Sequence, residues 1–349
     1  MSRSPRYGGR FDEMRRLLAP PAETVTSGDV PSFSIVIAAY QVADVIGEAI
    51  ESALAQTVPP LEIVVCDDGS TDDLEAALAP YRQRIVLVRK TNGGEASAKN
   101  AAARAASGDF VAILDSDDVY LPGRLEALGS LAAEHPELDL LTTDAFLEID
   151  GKVLRRVYGD DWTFEVDDQR RAILTRNFIF GHVAVRRDRL LGAGGFDESI
   201  RFTTDWECWI RLILAGSRAG AVLEPLSRYR IRERALSGDR TAMAAGRTTT
   251  LQKALEHPSL RPEERAVARA TLARYERELA ALRLRQALRR SPGTARRLAV
   301  SVAFSRTAPL PTRLKALAAA IAPRAAARLL RRREERTWVG AGGTTVERA

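Results

Sequence analysis

The sequence predicts an α/β domain with a mixed, mostly parallel central sheet, followed by a helical extension. Three observations predict it. Between Phe33 and Asp115, four short runs of Val, Ile and Leu alternate with helical patterns, the order that folds into parallel strands joined by crossover helices. After Leu121 this alternation gives way to a longer strand and a hairpin signal, which calls for antiparallel members in the same sheet. From about Ser237 to Arg336 the pattern is nearly all helical, with breaks at Pro258, Pro292, Pro309–Pro311 and Pro323.

Residues 1–32 are rich in Arg, Pro, Gly and Ser and read as a flexible leader holding a short helix near Phe11–Leu18. Strands are predicted at Phe33–Ala39, Leu61–Asp67, Arg84–Lys90 and Asp109–Asp115, as continuous apolar runs buried on both faces. Between them, helices are predicted at Asp44–Ala55, Asp72–Leu78 and Glu95–Ala106, opened by Asp or a Gly pair. A helix at Pro122–His135, a strand near Leu138–Glu148, a hairpin through Asp150–Gly151 and a helix at Trp206–Ala215 complete residues 33–236. Within that domain the regular alternation fills 33–120 and the mixed pattern 121–236. Residues 237–336 form the helical extension, where Leu272, Tyr275, Leu279 and Leu282 make a stripe that must pack on something, and 337–349 a disordered tail.

Composition narrows the setting. Two cysteines, Cys66 and Cys208, cannot build a disulfide framework and have no zinc spacing, so a reducing, cytoplasmic compartment is expected. No run approaches a membrane span, and the amino terminus lacks the apolar core of a signal peptide. The net charge of +6 is unevenly placed: residues 241–349 carry 23 Lys and Arg against 8 Asp and Glu, the remainder 29 against 38. An acidic body argues against a nucleic-acid groove, so no nucleic acid is expected; the basic tail suits an anionic partner.

In open α/β sheets ligands bind beyond the carboxyl ends of the parallel strands. Those ends are Ala38-Ala39-Tyr40, Cys66-Asp67-Asp68-Gly69-Ser70 and Asp115-Ser116-Asp117-Asp118, which bring five carboxylates to one rim. Neither a GxGxxG after strand one nor a P-loop is present, which disfavours a Rossmann dehydrogenase. Asp115-x-Asp117 offers the oxygen ligands that Mg²⁺ or Mn²⁺ shares with substrate phosphates, and is equally a capped turn. Asp67-Asp68-Gly69-Ser70 reads as a ribose contact or as a plain Asp-Gly turn.

Taken together, Phe33–Tyr40, Asp67–Asp72, Asn92–Asn100 and Asp115–Asp118, in this order and spacing, resemble the GT-A glycosyltransferases of family 2, from Phe33 to about Arg232. The resemblance implies the GT-A fold, with Ala39, Tyr40, Asp67 and Asp68 at the nucleotide, Asp115 at the sugar and Asp117 on a divalent metal, Mn²⁺ or Mg²⁺. Lys99 and Asn100, after the Asn92-Gly93-Gly94 segment, are similar to the family's Arg-Asn pair on the donor side, with Lys in place of Arg. Gly194-Gly195-Phe196-Asp197-Glu198 and the run Thr204–Leu212 resemble the signature ahead of the acceptor-side helix. That match aligns Asp205 with the general base, and Thr204 departs from the usual acidic residue. Asp205 could instead merely cap its helix. Trp206 and Trp209 read as wall and core, Trp206 with an option of stacking on a sugar; a lone His182 reads as structural, and Arg201 and Arg230 as surface or ion-pair residues.

What this implies is an inverting, metal-assisted transfer of a sugar from a UDP-sugar or related donor to a glycan, lipid or protein acceptor, as in polysaccharide biosynthesis. The rivals are an inactive nucleotide-sugar-binding regulator and a sugar nucleotidyltransferase, the latter wanting a Gly-rich basic loop that Ala38–Val42 does not supply. The segment Arg313–Arg336 mixes leucines with arginines and reads either as a membrane-surface helix, at the inner face, or as a packing or oligomer surface.

Overall fold

A computed structural model of the chain describes residues 30–159, 162–231, 239–290, 292–304 and 310–329. The leader's predicted helix near Phe11–Leu18 and the 337–349 tail lie outside the described residues. Ser32, placed in the leader by sequence, is tied to the domain: its N–H and hydroxyl both donate to Asp109 Oδ2, at 2.8 and 2.7 Å.

The apolar runs form β1 (Phe33–Ala39), β2 (Glu62–Asp67), β3 (Val86–Arg89) and β4 (Phe110–Ile113), all parallel. Connecting them are α1 (Ile46–Leu54), α2 (Leu74–Leu78) and α3 (Glu95–Ala105). In α1, Ile46, Ala49, Ile50 and Ala53 recur at three- and four-residue steps and are all buried. Phe33, Ile35, Ile37, Ile63, Val65 and Phe110 join them in the main core, and Cys66, on the opposite face of β2, is also buried, which pushes its thiol up to about 11.

Then come β5 (Val119–Tyr120), α4 (Arg124–Glu134), β6 (Leu140–Ile149), β7 (Lys152–Arg156), α5 (Gln169–Ile173), β8 (Ala184–Arg186), α6 (Arg187–Gly192), α7 (Thr204–Leu214) and β9 (Ala219–Arg230). The strand order is β3-β2-β1-β4-β8-β6-β9-β5, with β7 paired to β6 through the expected turn at Asp150–Gly151. Short β8 is antiparallel to both β4 and β6, so a late three-residue strand closes the middle of the sheet.

Two differences from the sequence reading have local causes. Strand β9 was not expected, because Gly220 and Pro225 interrupt its apolar pattern; Pro225 sits opposite Asp144 where the β6–β9 register shifts, a place where a missing N–H is tolerated. Helix α7 begins at Thr204 rather than Trp206, because Thr203 takes a left-handed φ of 60°, a strained setting for a β-branched residue. Its hydroxyl lies 2.9 Å from that of Thr250.

The extension comprises α8 (Arg240–Glu256), α9 (Pro262–Arg290), α10 (Pro292–Ala303) and α11 (Leu310–Ile321). Pro292 opens a helix instead of breaking one, as its fixed φ permits at a first position. The chain does not divide at residue 237 as expected: Thr249–Ala268 belongs to the compact unit that holds the sheet, and the other unit takes Asp239–Thr248 and the residues from Arg269 on. Arg170 explains part of this, donating to both oxygens of Glu264 and to the carbonyls of Ser259 and Leu214. Lys253 likewise donates to Asp197 Oδ2 at 2.5 Å and to Ser199 Oγ. In the other unit Leu279 of the predicted stripe is buried, and the Arg247 guanidinium lies over Tyr275. No helix among the described residues is long and apolar enough to cross a membrane.

Burial works against ionised Asp197, but Lys253 and Ser199 outweigh it and hold the carboxyl near 2. A depressed carboxyl contributes stability that is present above its unfolded value of about 3.9 and lost as pH falls toward 2. Lys253→Met is therefore expected to cost roughly 1 kcal/mol near neutral pH, discounted for partial exposure of the pair. The gap between variant and wild-type melting temperatures should narrow as pH drops below about 4; a gap independent of pH would show that the ion pair contributes nothing.

Candidate active site

Loops at the carboxyl ends of β1, β2 and β4 and the first turn of α3 converge on one rim. Ala39 ends β1, buried beside Asp67 in the parallel register, and Tyr40 follows with about half of its surface exposed. Gln41 knits the first two loops together, its N–H donating to Ser70 Oγ and its side-chain amide to Thr71 Oγ1. Asp67 accepts the Ser70 N–H at 2.8 Å. Gly69, at φ 76°, is required here: a Cβ would come within 2.9 Å of the Asn92 nitrogen.

Lys99 is buried and sits between two carboxylates, 2.5 Å from Glu95 Oε1 and 2.8 Å from Asp115 Oδ1. Burial alone would lower its pKa, but Asp115 and Glu95 more than reverse this and keep it protonated. Burial likewise works against ionised Asp115, and Lys99 outweighs it, so this carboxyl is held below the ordinary range. Glu95 was not singled out in the sequence, although its place just after Gly93-Gly94 puts it on this rim.

Behind Asp115 the turn is anchored in the protein. Asp118 is buried, its Oδ1 accepting the Arg230 N–H at 2.7 Å and its Oδ2 lying 2.7 Å from His182 Nε2. The other His182 nitrogen is 3.0 Å from Ser227 Oγ, and its carbonyl accepts from the buried Arg124 guanidinium. Burial raises the Asp118 carboxyl even against the neighbouring imidazole. His182 thus sits at the base of the site rather than in a remote core. Arg230 pairs with Glu48 and Glu148, as an ion-pair residue.

Ligand atoms of Asp115, Asp118 and His182 lie within 4.8 Å of one another. Asp117, predicted on the metal, is half-buried in the same turn but is not a member of that group. Asp118 and His182 are engaged with each other, Arg230 and Ser227, and Asp115, about a third exposed, is the open member of the group. Two carboxylates and one imidazole so placed fit a divalent cation such as Mn²⁺ or Mg²⁺.

Two predicted donor residues are turned away from the rim. Asp68 is 2% exposed and accepts from Lys90 Nζ and from the N–H groups of Gly93 and Gly94, so it shapes the loop ahead of α3. Asn100 exchanges a pair of hydrogen bonds with the Phe196 backbone, 2.8 and 2.7 Å, and donates to Glu198 Oε1. It therefore tethers Gly194–Glu198 to α3, while Arg211 ties the same segment to α7 through the carbonyls of Ala193 and Gly195.

Asp205 lies in the first turn of α7, two residues after the N-cap Thr203; its Oδ2 accepts from Asn177 Nδ2 at 2.9 Å, and its carboxylate also takes the Trp206 N–H. Burial raises the Asp205 carboxyl, Glu95 and Asp115 add to the rise, and the Trp206 N–H and Lys99 oppose it. These influences also place Asp205 within reach of the Glu95–Lys99–Asp115 charges. Trp206 is core, 2% exposed, with its indole N–H on the Ile173 carbonyl, which removes the stacking option.

Residues 34–191 match the profile of the family described as glycosyl transferase family 2. A little under half of the chain is thus similar to glycosyl transferase family 2. Among its relatives, an uncharacterized glycosyltransferase of Rickettsia prowazekii (strain Madrid E) is 32% identical over 191 residues, which is 54% of this chain and 60% of that protein. The hyaluronan synthase of Pasteurella multocida is 34% identical over 207 residues, 58% of this chain and 20% of the synthase. The chain thus spans from a fifth to about 60% of these relatives' lengths. Among solved structures, S. aureus TarS 1–349 in complex with UDP-GlcNAc aligns with TM-score 0.62 at 20% identity, covering 86% of this chain and 92% of that one. The mannosyltransferase PcManGT of Pyrobaculum calidifontis, in complex with GDP-Man and Mn²⁺, aligns with TM-score 0.55 at 20% identity, covering 90% and 93%. The chain therefore has the GT-A fold, with its mixed, mostly parallel sheet and C-terminal helices.

Proposed function

We propose that the chain is an inverting glycosyltransferase that moves a sugar from a UDP-sugar or related nucleotide-sugar donor to a glycan, lipid or protein acceptor. The observation that carries this reading is the Glu95–Lys99–Asp115 group at the strand ends with Asp205 within its electrostatic reach. The sugar nucleotides held by the two structural neighbours support the donor class. Two free, buried cysteines support a cytoplasmic setting.

In this reading Ala39, Tyr40 and Asp67 receive the nucleotide, and Asp115, fixed by Lys99, orients the sugar. Asp205, oriented by Asn177, takes the proton of the acceptor hydroxyl as that oxygen bonds to the anomeric carbon. The bond from that carbon to the diphosphate breaks in the same step, its electron pair leaving with the nucleotide, so a single displacement inverts the configuration. A divalent metal, Mn²⁺ or Mg²⁺, bound by Asp115 and Asp117 would supply Lewis-acid neutralisation of the departing diphosphate.

Asp117→Asn is expected to weaken UDP-sugar binding in Mn²⁺ by about tenfold or more while leaving the melting temperature unchanged. Calorimetric titration of donor with and without Mn²⁺ reads this, and an unchanged affinity would remove Asp117 from the metal. UDP release measured with and without acceptor separates a transferase, which needs the acceptor for full rate, from a regulator that only binds donor.

A further inference from the structure

The hairpin of α10 and α11 is packed inside out. Its interior is made of small residues, with Ala295, Ala299, Ala316, Ala319 and Ala320 all buried. Val302 is buried with them, but the large apolar residues of α11 are on the outside: Leu314 is 57% exposed and Ile321 73%, with Leu317, and Val300 and Phe304 from α10 and its end, also exposed. Leu314, Leu317 and Ile321 stand three and four residues apart and form one stripe along α11, opposite the face that carries Ala316, Ala319 and Ala320. Arg313 and Lys315 flank that stripe on either side. The short helical stretch 323–329 continues the pattern, with Arg324, Arg328 and Leu329 exposed around buried Ala327.

Charge decides what covers this surface. Between Glu278 and Glu334 the sequence contains fourteen Arg and Lys and no acidic residue. A second copy meeting it through the same face would bring like charge against it, without carboxylates to pair the arginines. A nucleic acid would satisfy the arginines and leave the Leu, Ile and Phe side chains in water. An anionic bilayer accepts both at once, apolar side chains below the headgroups and basic ones at the phosphates.

We propose that the α10–α11 hairpin is a docking surface for an anionic lipid membrane, lying in its interface without crossing it. This goes beyond the catalytic reading and does not depend on it. It also chooses between the two roles expected for Arg313–Arg336, of which the part beyond residue 329 lies outside the described residues.

The test is co-sedimentation of the full chain with vesicles rich in phosphatidylglycerol and with vesicles of phosphatidylcholine alone. The expected result is sedimentation with the first and not the second. The combined variant Leu314→Ser, Leu317→Ser, Ile321→Ser should bind anionic vesicles about tenfold or more weakly, with helicity and UDP release unchanged. Should the combined variant lose helicity, Ile321→Ser alone, the most exposed of the three, gives the same reading with a smaller loss. No sedimentation at low salt overturns the proposal. So does undiminished binding by the serine variants, which would mark a polyanion surface for which a short DNA duplex should then compete. A dimer in sedimentation velocity that the serine substitutions dissolve, without vesicle binding, would assign the face to a second copy.

Discussion

Asp205→Asn is expected to cut sugar transfer about 10²-fold or more while sparing donor binding and the melting temperature. Asparagine keeps the side-chain oxygen that accepts from Asn177 but cannot take a proton from the acceptor hydroxyl. Burial, Glu95 and Asp115 raise the Asp205 carboxyl against the Trp206 N–H and Lys99, so the wild-type rate should fall as pH drops through a value above the ordinary carboxylate range. That acid limb should be missing from the residual activity of the variant. The stability sign runs the same way: a carboxyl raised on folding makes the ionised form a cost above its unfolded pKa, so replacing it with a neutral amide should not lower the melting temperature. Near wild-type transfer by a normally melting variant would move the base elsewhere, and joint loss of stability and donor binding would make Asp205 a structural residue.

Gly195→Ala is expected to destabilise the domain by about 2–4 kcal/mol, combining a left-handed backbone with loss of a buried hydrogen bond. Gly195 has φ 75°, and a Cβ there would stand 2.3 Å from Asn100 Oδ1. That oxygen is not free to swing aside, since it accepts the Phe196 N–H while the Asn100 amide nitrogen holds the Phe196 carbonyl. Gly194 is the internal control: its φ is 87°, yet a Cβ would meet nothing within 4 Å. Gly194→Ala should therefore cost only about 1 kcal/mol, the backbone share alone. Urea melts of the two variants measure the difference, and equal losses would show that the Asn100 contact carries no weight.

The parts of the fold legible in the sequence were those set by local pattern. β1 was read to the residue, because an uninterrupted apolar run between polar ends has one meaning in an alternating chain. β5 has two residues, too few to show a period, and β9 hides behind Pro225. At the site, motif spacing put Lys99 and Asp115 on one rim, and they are in contact. It could not show that Asn100 faces Phe196, 96 residues away, or that the two oxygens of Asp68 are occupied by Lys90, Gly93 and Gly94. His182 looked solitary for the same reason, since Asp118 and Ser227 are 64 and 45 residues distant. Asn177 and Glu95 carry no motif of their own; their importance comes from the neighbours that the fold gives them.

The position of β8 bears on how the chain is made. β4 is paired on one side by β1 as soon as it leaves the ribosome, but its other side waits for Ala184–Arg186, about 70 residues later. At roughly 5–20 residues per second that is on the order of 4–14 s of synthesis during which the flank of Phe110–Ile113 is an unpaired ladder. Nascent chains arrested just before Ala184 should therefore be cut readily by protease in β1–β4 and recruit holding chaperones. Chains arrested well after Arg186 has cleared the exit tunnel should resist, and equal resistance at both lengths would show that the first four strands stand without their central partner.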